Sequence, residues 1–350
     1  MGLAGGLSER GWSVSVVIPE DGPLTSRLHS AGASVHIHPL AVLRRRLLSA
    51  SGVVRLGIQG VRERSALAEL CRGCSLVHSN TSVILAGGFD VPHVIHVREI
   101  YAGAAVGLAA RAWPLWRRRL QRADALVCVS GAVAAQFDRA AVIHDGIAFS
   151  HAPQSVPTPW GQVEVRGFAV GILGRIADWK GQDVLIRALA EPALAEIGAT
   201  AVIAGDAYPG EEAPDIQKLA TDLGVNDRVQ LLGFRTDPEQ VLASVDAVAV
   251  PSTRPDPFPN SALEALTAGK PVVAAAHGGL PEMIKDGETG LLVEPGNPAA
   301  LATALRRLAD DPAQRNRMGQ AAAADARNRF GVERMLDQIE AVYAQLGVTR

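Results

Sequence analysis

Apolar positions along this chain fall in short, nearly unbroken runs, and the stretches between them keep a helical period. In the first half the predicted strands are Val14–Ile18, Val35–Ile37, Leu76–Val77, Val94–Val97 and Ala125–Val129. Predicted helices between them include Thr25–Ala31, Val61–Leu70 and Trp113–Arg122. The rhythm stops at residues 147–166, where Pro153, Pro157 and Pro159 cluster with polar residues. It resumes with predicted strands at Phe168–Leu173, Ala201–Ala204, Val229–Leu232, Ala247–Val250, Val272–Ala275 and Leu291–Val293, then helices at Pro298–Ala309, Ala313–Phe330 and Val332–Leu346. Continuous apolar strands alternating with helices imply parallel sheets covered on both faces. The expected fold class is therefore α/β: two Rossmann-like, doubly wound domains facing each other across a cleft. The boundaries read as a first domain over 1–150, a linker over 151–166, a second domain over 167–330, and a last helix over 331–350 packing back towards the first domain.

Composition narrows the function classes. The 350 residues are 48% hydrophobic and 20% charged with net charge −2, so nothing in bulk electrostatics favours nucleic acid. Aromatics at 4% also argue against base-stacking platforms. No apolar run approaches the ~20 residues of a membrane span, and MGLAGGLSERGW lacks the basic start and apolar core of a signal peptide, so a cytoplasmic protein is expected. Cys71 and Cys74 read as incidental thiols at a helix-to-strand turn, and Cys128, alternating with apolar neighbours, reads as core. Residues 111–122 carry five arginines with Trp113 and Trp116. A solvated helix flank interrupted by Pro114 is the first reading, and peripheral contact with the inner face of a membrane the second. Arg44–Arg46 is a short local cluster.

Candidate chemistry sits in the loops after the second-half strands, where parallel sheets gather ligands. In Pro251–Pro271, PSTRPDPFPNSALEALTAGKP, Asp256 and Glu264 flank a helix start near Ser261, with Asn260 as the expected N-cap. Unpaired N–H groups at such a start, from Asn260, Ser261 and Ala262, suit a phosphate, and Glu264 one turn in suits neutral hydroxyls. In Gly171–Gly181, GILGRIADWKG, Gly174 permits a tight turn while Arg175 and Lys180 converge on a diphosphate. This is neither the dinucleotide fingerprint nor a Walker loop. Gly205 allows close backbone approach, and Gly278 and Gly279 in HGGLPE read as a backbone anion nest.

These pieces, in their order and spacing over roughly Phe168–Leu346, resemble the donor-binding domain of retaining GT-B glycosyltransferases of family 4: GRIADWKG, AGD, LGF, the Pro251 stretch and GGLPEMIKDGETGLLV. The resemblance implies a nucleotide-diphosphate-sugar donor, transfer with retention to a glycan, lipid or small-molecule acceptor, and no metal or other cofactor. It implies that Arg175 and Lys180 bind the diphosphate and that Glu264 binds the ribose hydroxyls. Asp256 stands where the family usually has Glu, one methylene longer, and would contact the transferred sugar. The first half resembles the acceptor-side domain more weakly. Relatives place a His at the end of the strand matching Val94–Val97, so His96 and Arg98 are both candidates there. The family's first strand and Gly-rich loop are missing from the front, which points to an N-terminally truncated first domain. A nucleotide-sugar epimerase of the same architecture, or a degenerate sugar-nucleotide-binding protein, are the competing readings.

Overall fold

The computed structural model describes residues 2–43, 58–60, 65–85, 87–101, 108–148, 167–208 and 213–350. The expected linker 151–166, the Arg44–Arg46 cluster and the start of the helix expected over Val61–Leu70 lie outside them; residues 65–70 of that helix are helical. Contacts divide the chain into two units, Met1–Ala148 with Phe330–Arg350, and Phe149–Arg329.

The larger sheet belongs to the second unit. Its strands are β7 (Ala169–Leu173), β8 (Thr200–Ala204), β9 (Val229–Leu231), β10 (Ala247–Val250), β11 (Val272–Ala275) and β12 (Gly290–Val293). All pair in parallel, in the order β12-β11-β10-β7-β8-β9. The chain first winds from β7 outward to β9, then returns to the other side of β7 and winds outward again. The order thus reverses between β7 and β10, the position at the carboxyl edge of such a sheet where ligands bind. β8, β10 and β11 are buried along their whole length, which is why they read as unbroken apolar runs. Val184, Leu185, Leu189, Leu301 and Leu305 cover them in one continuous core.

In the first unit β3 (Val77–Ser79), β4 (His93–Val97), β5 (Ala125–Cys128) and β6 (Ala141–Val142) form a parallel sheet. β1 (Ser15–Ile18) and β2 (Ser34–Ile37) pair in parallel with each other as a separate two-stranded sheet. The helix over Leu108–Leu120 runs through Pro114, which was expected to interrupt it. Proline removes one helical hydrogen bond, but Trp113 on the same turn stacks on Tyr101 and meets Phe137 edge-on, with centroids 4.9 and 5.9 Å apart. Cys71, Cys74 and Cys128 are free thiols, with Cys128 buried.

The final helix, Val332–Gln345, packs on the first helix, Gly2–Glu9. Leu336, Ile339 and Tyr343 share a core with Leu7, Val94 and Val127. Beside this core, Glu340 accepts hydrogen bonds from Trp12 Nε1 at 2.7 Å, Arg10 Nη1 at 2.6 Å and Arg350 Nε at 2.9 Å. Burial alone would raise the Glu340 pKa, but Trp12, Arg10 and Arg350 hold it down at about 2.

A carboxylate depressed in the folded state contributes stability that is complete above its unfolded pKa of about 4.3 and fades as pH falls towards the folded value. Glu340→Gln is therefore expected to lower Tm at neutral pH. The gap to wild type should shrink between pH ~4.3 and about 2 in thermal melts across that range.

Candidate active site

The site is built from the loops after β7, β8, β10 and β11. Gly174, at φ 132°, ends β7 and donates its N–H to Ala204 O at 2.9 Å. Gly205 answers from the end of β8: a Cβ there would fall 2.0 Å from Gly174 O, so only glycine lets the two loops close. Its N–H goes to Gly233 O at 2.8 Å, and Asp206 accepts from Phe234 N at 3.0 Å, which clasps the loop after β9 to the same edge. Gly174 and Gly205 thus hold the loops together.

Arg175 and Lys180 are brought together through a residue that the sequence reading left without a role. The Trp179 ring carries the Lys180 ammonium at 4.4 Å and the Arg175 guanidinium at 5.9 Å from its centroid. Tyr208, from the loop after β8, meets Arg175 at 5.6 Å. Cation–π contact fixes both cations without neutralising either. The available signal was the position of Trp179 between the two cations in GRIADWKG.

Across the order reversal, the loop after β10 brings Asp256 to the same place. Asp256 is 4% exposed and accepts from Lys180 Nζ at 2.7 Å. Gly181 makes this approach feasible, since a Cβ there would meet Pro251 O at 2.1 Å. Thr253 N also donates to Trp179 O at 2.8 Å, which zips the two loops side by side. His277 Nε2 lies 2.7 Å from Ser252 O and supports the loop from the β11 side.

Two expectations change here. Asn260 is the first residue of the helix Asn260–Thr267 and is not its cap. Pro259 holds the cap position in extended geometry, and its carbonyl accepts from Ala262 N at 3.1 Å. Proline fits because it has no N–H to satisfy, and it makes no capping side-chain hydrogen bond to the helix start. The pair Gly278-Gly279 also differs from an open anion nest. Gly279 donates its N–H to Asp256 O at 2.8 Å, and Gly278, at φ 61°, packs where a Cβ would lie 2.3 Å from that oxygen. The turn props up the Asp256 backbone because it has no Cβ to keep it away.

Ser261 is half-buried and Ala262 buried on the first turn of that helix. Glu264 follows on the next turn and is also half-buried. Burial, then the charge of Glu239, raises its pKa. No hydrogen bond or ion pair to its carboxylate is found among the described residues. A desolvated carboxylate without a donor is poised to accept from neutral hydroxyls.

In the first unit, His96 is 1% exposed inside β4, with its ring 5.5 Å from that of His78. Burial drives its pKa well down, so the ring is neutral, and neither nitrogen has a partner among the described residues. Arg98 lies just past β4, ion-paired to Asp145 and 3.3 Å from Asn80 Oδ1. Glu99 accepts from Thr81, Ser82 and the Arg98 N–H, so a polar network fixes the end of β4. Of the two candidates here, Arg98 is the one carried beyond the sheet.

Two family models cover most of the chain: glycosyl transferases group 1 over residues 165–325, and glycosyltransferase family 4 over residues 1–148. The chain belongs to the GT-B glycosyltransferases. Among curated relatives, the chain is 39% identical to D-inositol 3-phosphate glycosyltransferase of Salinispora tropica over 188 residues, 51% of this chain and 39% of that protein. It is 41% identical to the protein of the same name from Corynebacterium aurimucosum over 181 residues, 50% of this chain and 42% of that one. The chain thus matches these relatives over about two fifths of their length. HepE of Anabaena, solved in complex with UDP and glucose, superposes with TM-score 0.81 at 26% identity, covering 98% of this chain and 94% of that one. A glycosyltransferase from Rickettsia africae shares the fold with TM-score 0.77 at 17% identity, covering 100% and 94%.

The Gly278 turn offers a direct check on the Asp256 support. Gly278→Ala should lose about 3 kcal/mol or more, combining left-handed strain with the clash on Asp256 O. Gly296→Ala, at φ 70° with nothing within 4 Å, should lose only about 1–2 kcal/mol. Urea denaturation of the two variants separates the contact from the strain.

Proposed function

We propose that the protein transfers a sugar from a nucleoside-diphosphate sugar to an acceptor hydroxyl, with retention at the anomeric carbon. The observation that carries this reading is the meeting of Lys180 and Asp256 at the order reversal of the sheet, beside Arg175. The acceptor is a glycan, lipid or small molecule. UDP-glucose is the first donor to test, because HepE, similar over nearly the whole chain, was solved in complex with UDP-glucose. The protein's setting is the cytoplasm, where nucleotide sugars are available.

In this reading the anomeric C–O bond breaks and its electron pair goes to the diphosphate. Arg175 supplies a planar fork, Lys180 a point charge and the Asn260 helix start its free N–H groups, all fixed before charge develops on the leaving group. Lys180 exchanges Asp256 for a phosphate oxygen when donor binds. Asp256, released, accepts from a hydroxyl of the transferred sugar, while Glu264 accepts from the ribose hydroxyls. Among the described residues no group of three His, Cys, Asp or Glu side chains stands together as a metal site. In this reading Arg175, Lys180 and the helix start take the charge on the diphosphate. The new bond forms on the face the diphosphate leaves, and the acceptor hydroxyl gives its proton to the departing diphosphate oxygen.

A donor panel with mass detection, with and without acceptor, tests the reading. Donor hydrolysis or transfer supports it; acceptor-independent interconversion of the sugar would point to an epimerase, and binding without turnover to a degenerate protein. Arg175→Ala and Lys180→Ala should each lower kcat by about 10²–10³-fold while the fold survives. Glu264→Gln should instead raise the donor KM with kcat little changed, because ribose contacts are the same in ground and transition states. Normal turnover in both cation variants would overturn the diphosphate assignment.

A further inference from the structure

The helix Leu108–Leu120 uses only one of its faces within the first unit. Its inner face is committed: Trp113 stacks on Tyr101 and packs on Phe137, Trp116 lies under Arg119 at 4.9 Å, and Leu120 is fully buried. Arg117 belongs to this inner set, donating from Nε to Gln136 O at 2.7 Å and pairing with Asp138. Asp138 is further occupied by Gln121 Nε2 at 2.8 Å, so this nearby acid is already spoken for.

The outer face has a different character. Arg111, Leu115 and Arg118 follow one another at spacings of 4 and 3 residues, which aligns them on a single stripe, and Arg122 follows in the turn just past the helix end. All four are exposed. Leu115, at 74%, is the most exposed large apolar side chain among the described residues. None of the three arginines has an acidic partner among the described residues, although the chain carries a net charge of −2. Three unneutralised cations around a protruding leucine make no use of one another. Like charges on adjacent turns repel, so the stripe is arranged for something outside the chain.

We propose that this stripe is a docking surface for an anionic lipid bilayer. The two parts of the stripe match the two layers of such a surface. Guanidinium groups pair bidentately with lipid phosphates, and Leu115 sits between them, where it enters the boundary of headgroups and acyl chains. The ring of Trp113 lies on the inner face, so the tryptophans of this helix serve the protein's own packing, and the outward arginines and Leu115 serve the membrane. Among the described residues no helix is long and apolar enough to cross a membrane, so the contact is peripheral. Each arginine is worth about fivefold in partitioning onto an anionic surface, and the attachment is reversible and salt-sensitive.

The test is flotation of the full chain with vesicles of phosphatidylcholine alone and of phosphatidylcholine mixed with phosphatidylglycerol, at about 0.1 M and about 1 M NaCl, where the Debye length falls from ~10 Å to ~3 Å. The wild type should float with the anionic vesicles at low salt and not with the neutral ones. Arg118→Gln with Arg122→Gln should weaken that binding roughly 25-fold, and Leu115→Asp at least about tenfold. Melting temperature and activity on soluble substrates should stay unchanged in both, since these side chains lie outside the donor site and outside the core. Equal binding to neutral vesicles, no binding to anionic ones, or retention of binding by the arginine pair variant would each overturn the proposal. Binding to soluble heparin that matches vesicle binding and ignores Leu115→Asp would overturn it in favour of a polyanion site.

Discussion

The reversal of strand order between β7 and β10 is the constraint on which the candidate site depends. A parallel sheet wound in one direction covers each strand end with the next crossover. Here the chain leaves β7 to one side and β10 to the other, so the loops holding Lys180 and Asp256 face each other with no crossover between them. The 2.7 Å contact of those two side chains is the result. The glycines serve the same constraint. Gly174, Gly181, Gly205 and Gly278 each stand where backbone meets backbone and a Cβ would leave no room at three of the four positions.

This arrangement sets two kinds of polar group side by side. Asp256 is satisfied by Lys180 and by a turn pressed against its backbone. Glu264, one helix turn further on, is desolvated with its carboxylate lacking a protein donor among the described residues, and its pKa rises as a consequence. The first is held in place by a cation. The second is held in readiness by the lack of one. Two acids on one loop and helix thus acquire separate characters from their surroundings alone.

Much of the second unit was legible in the sequence because its strands are buried on both faces. AVAV and VVAA could be bounded to the residue at Ala247–Val250 and Val272–Ala275, since burial leaves no polar position inside them. The residues of the GRIADWKG and Pro251 loops could be named for the same reason, lying directly after such runs. What the sequence hid was contact between loops. Asn260 looked like a cap from its residue type, but Pro259 has the right backbone and comes first. Gly279 looked like a free donor because the acceptor, Asp256 O, is 23 residues away in sequence. Pro114 looked like a break because the stacking of Trp113 on Tyr101 is a tertiary fact. β6, two exposed residues long, is too short to set itself apart as a strand.

The return of the last helix to the first unit has a practical meaning for dissection. The first unit is discontinuous in sequence: Ile147 donates its N–H to Phe330 O at 2.9 Å, and the helix beyond supplies Leu336, Ile339 and Tyr343 to a core otherwise built before residue 149. Severing the chain between the units at one crossing therefore leaves them tethered by the other. Expressing the first 148 residues alone would strip one wall from that core and expose Leu7, Val94 and Val127 to water. The second unit is one uninterrupted segment, whereas excising the first as a single chain requires a new peptide link from residue 148 to residue 330.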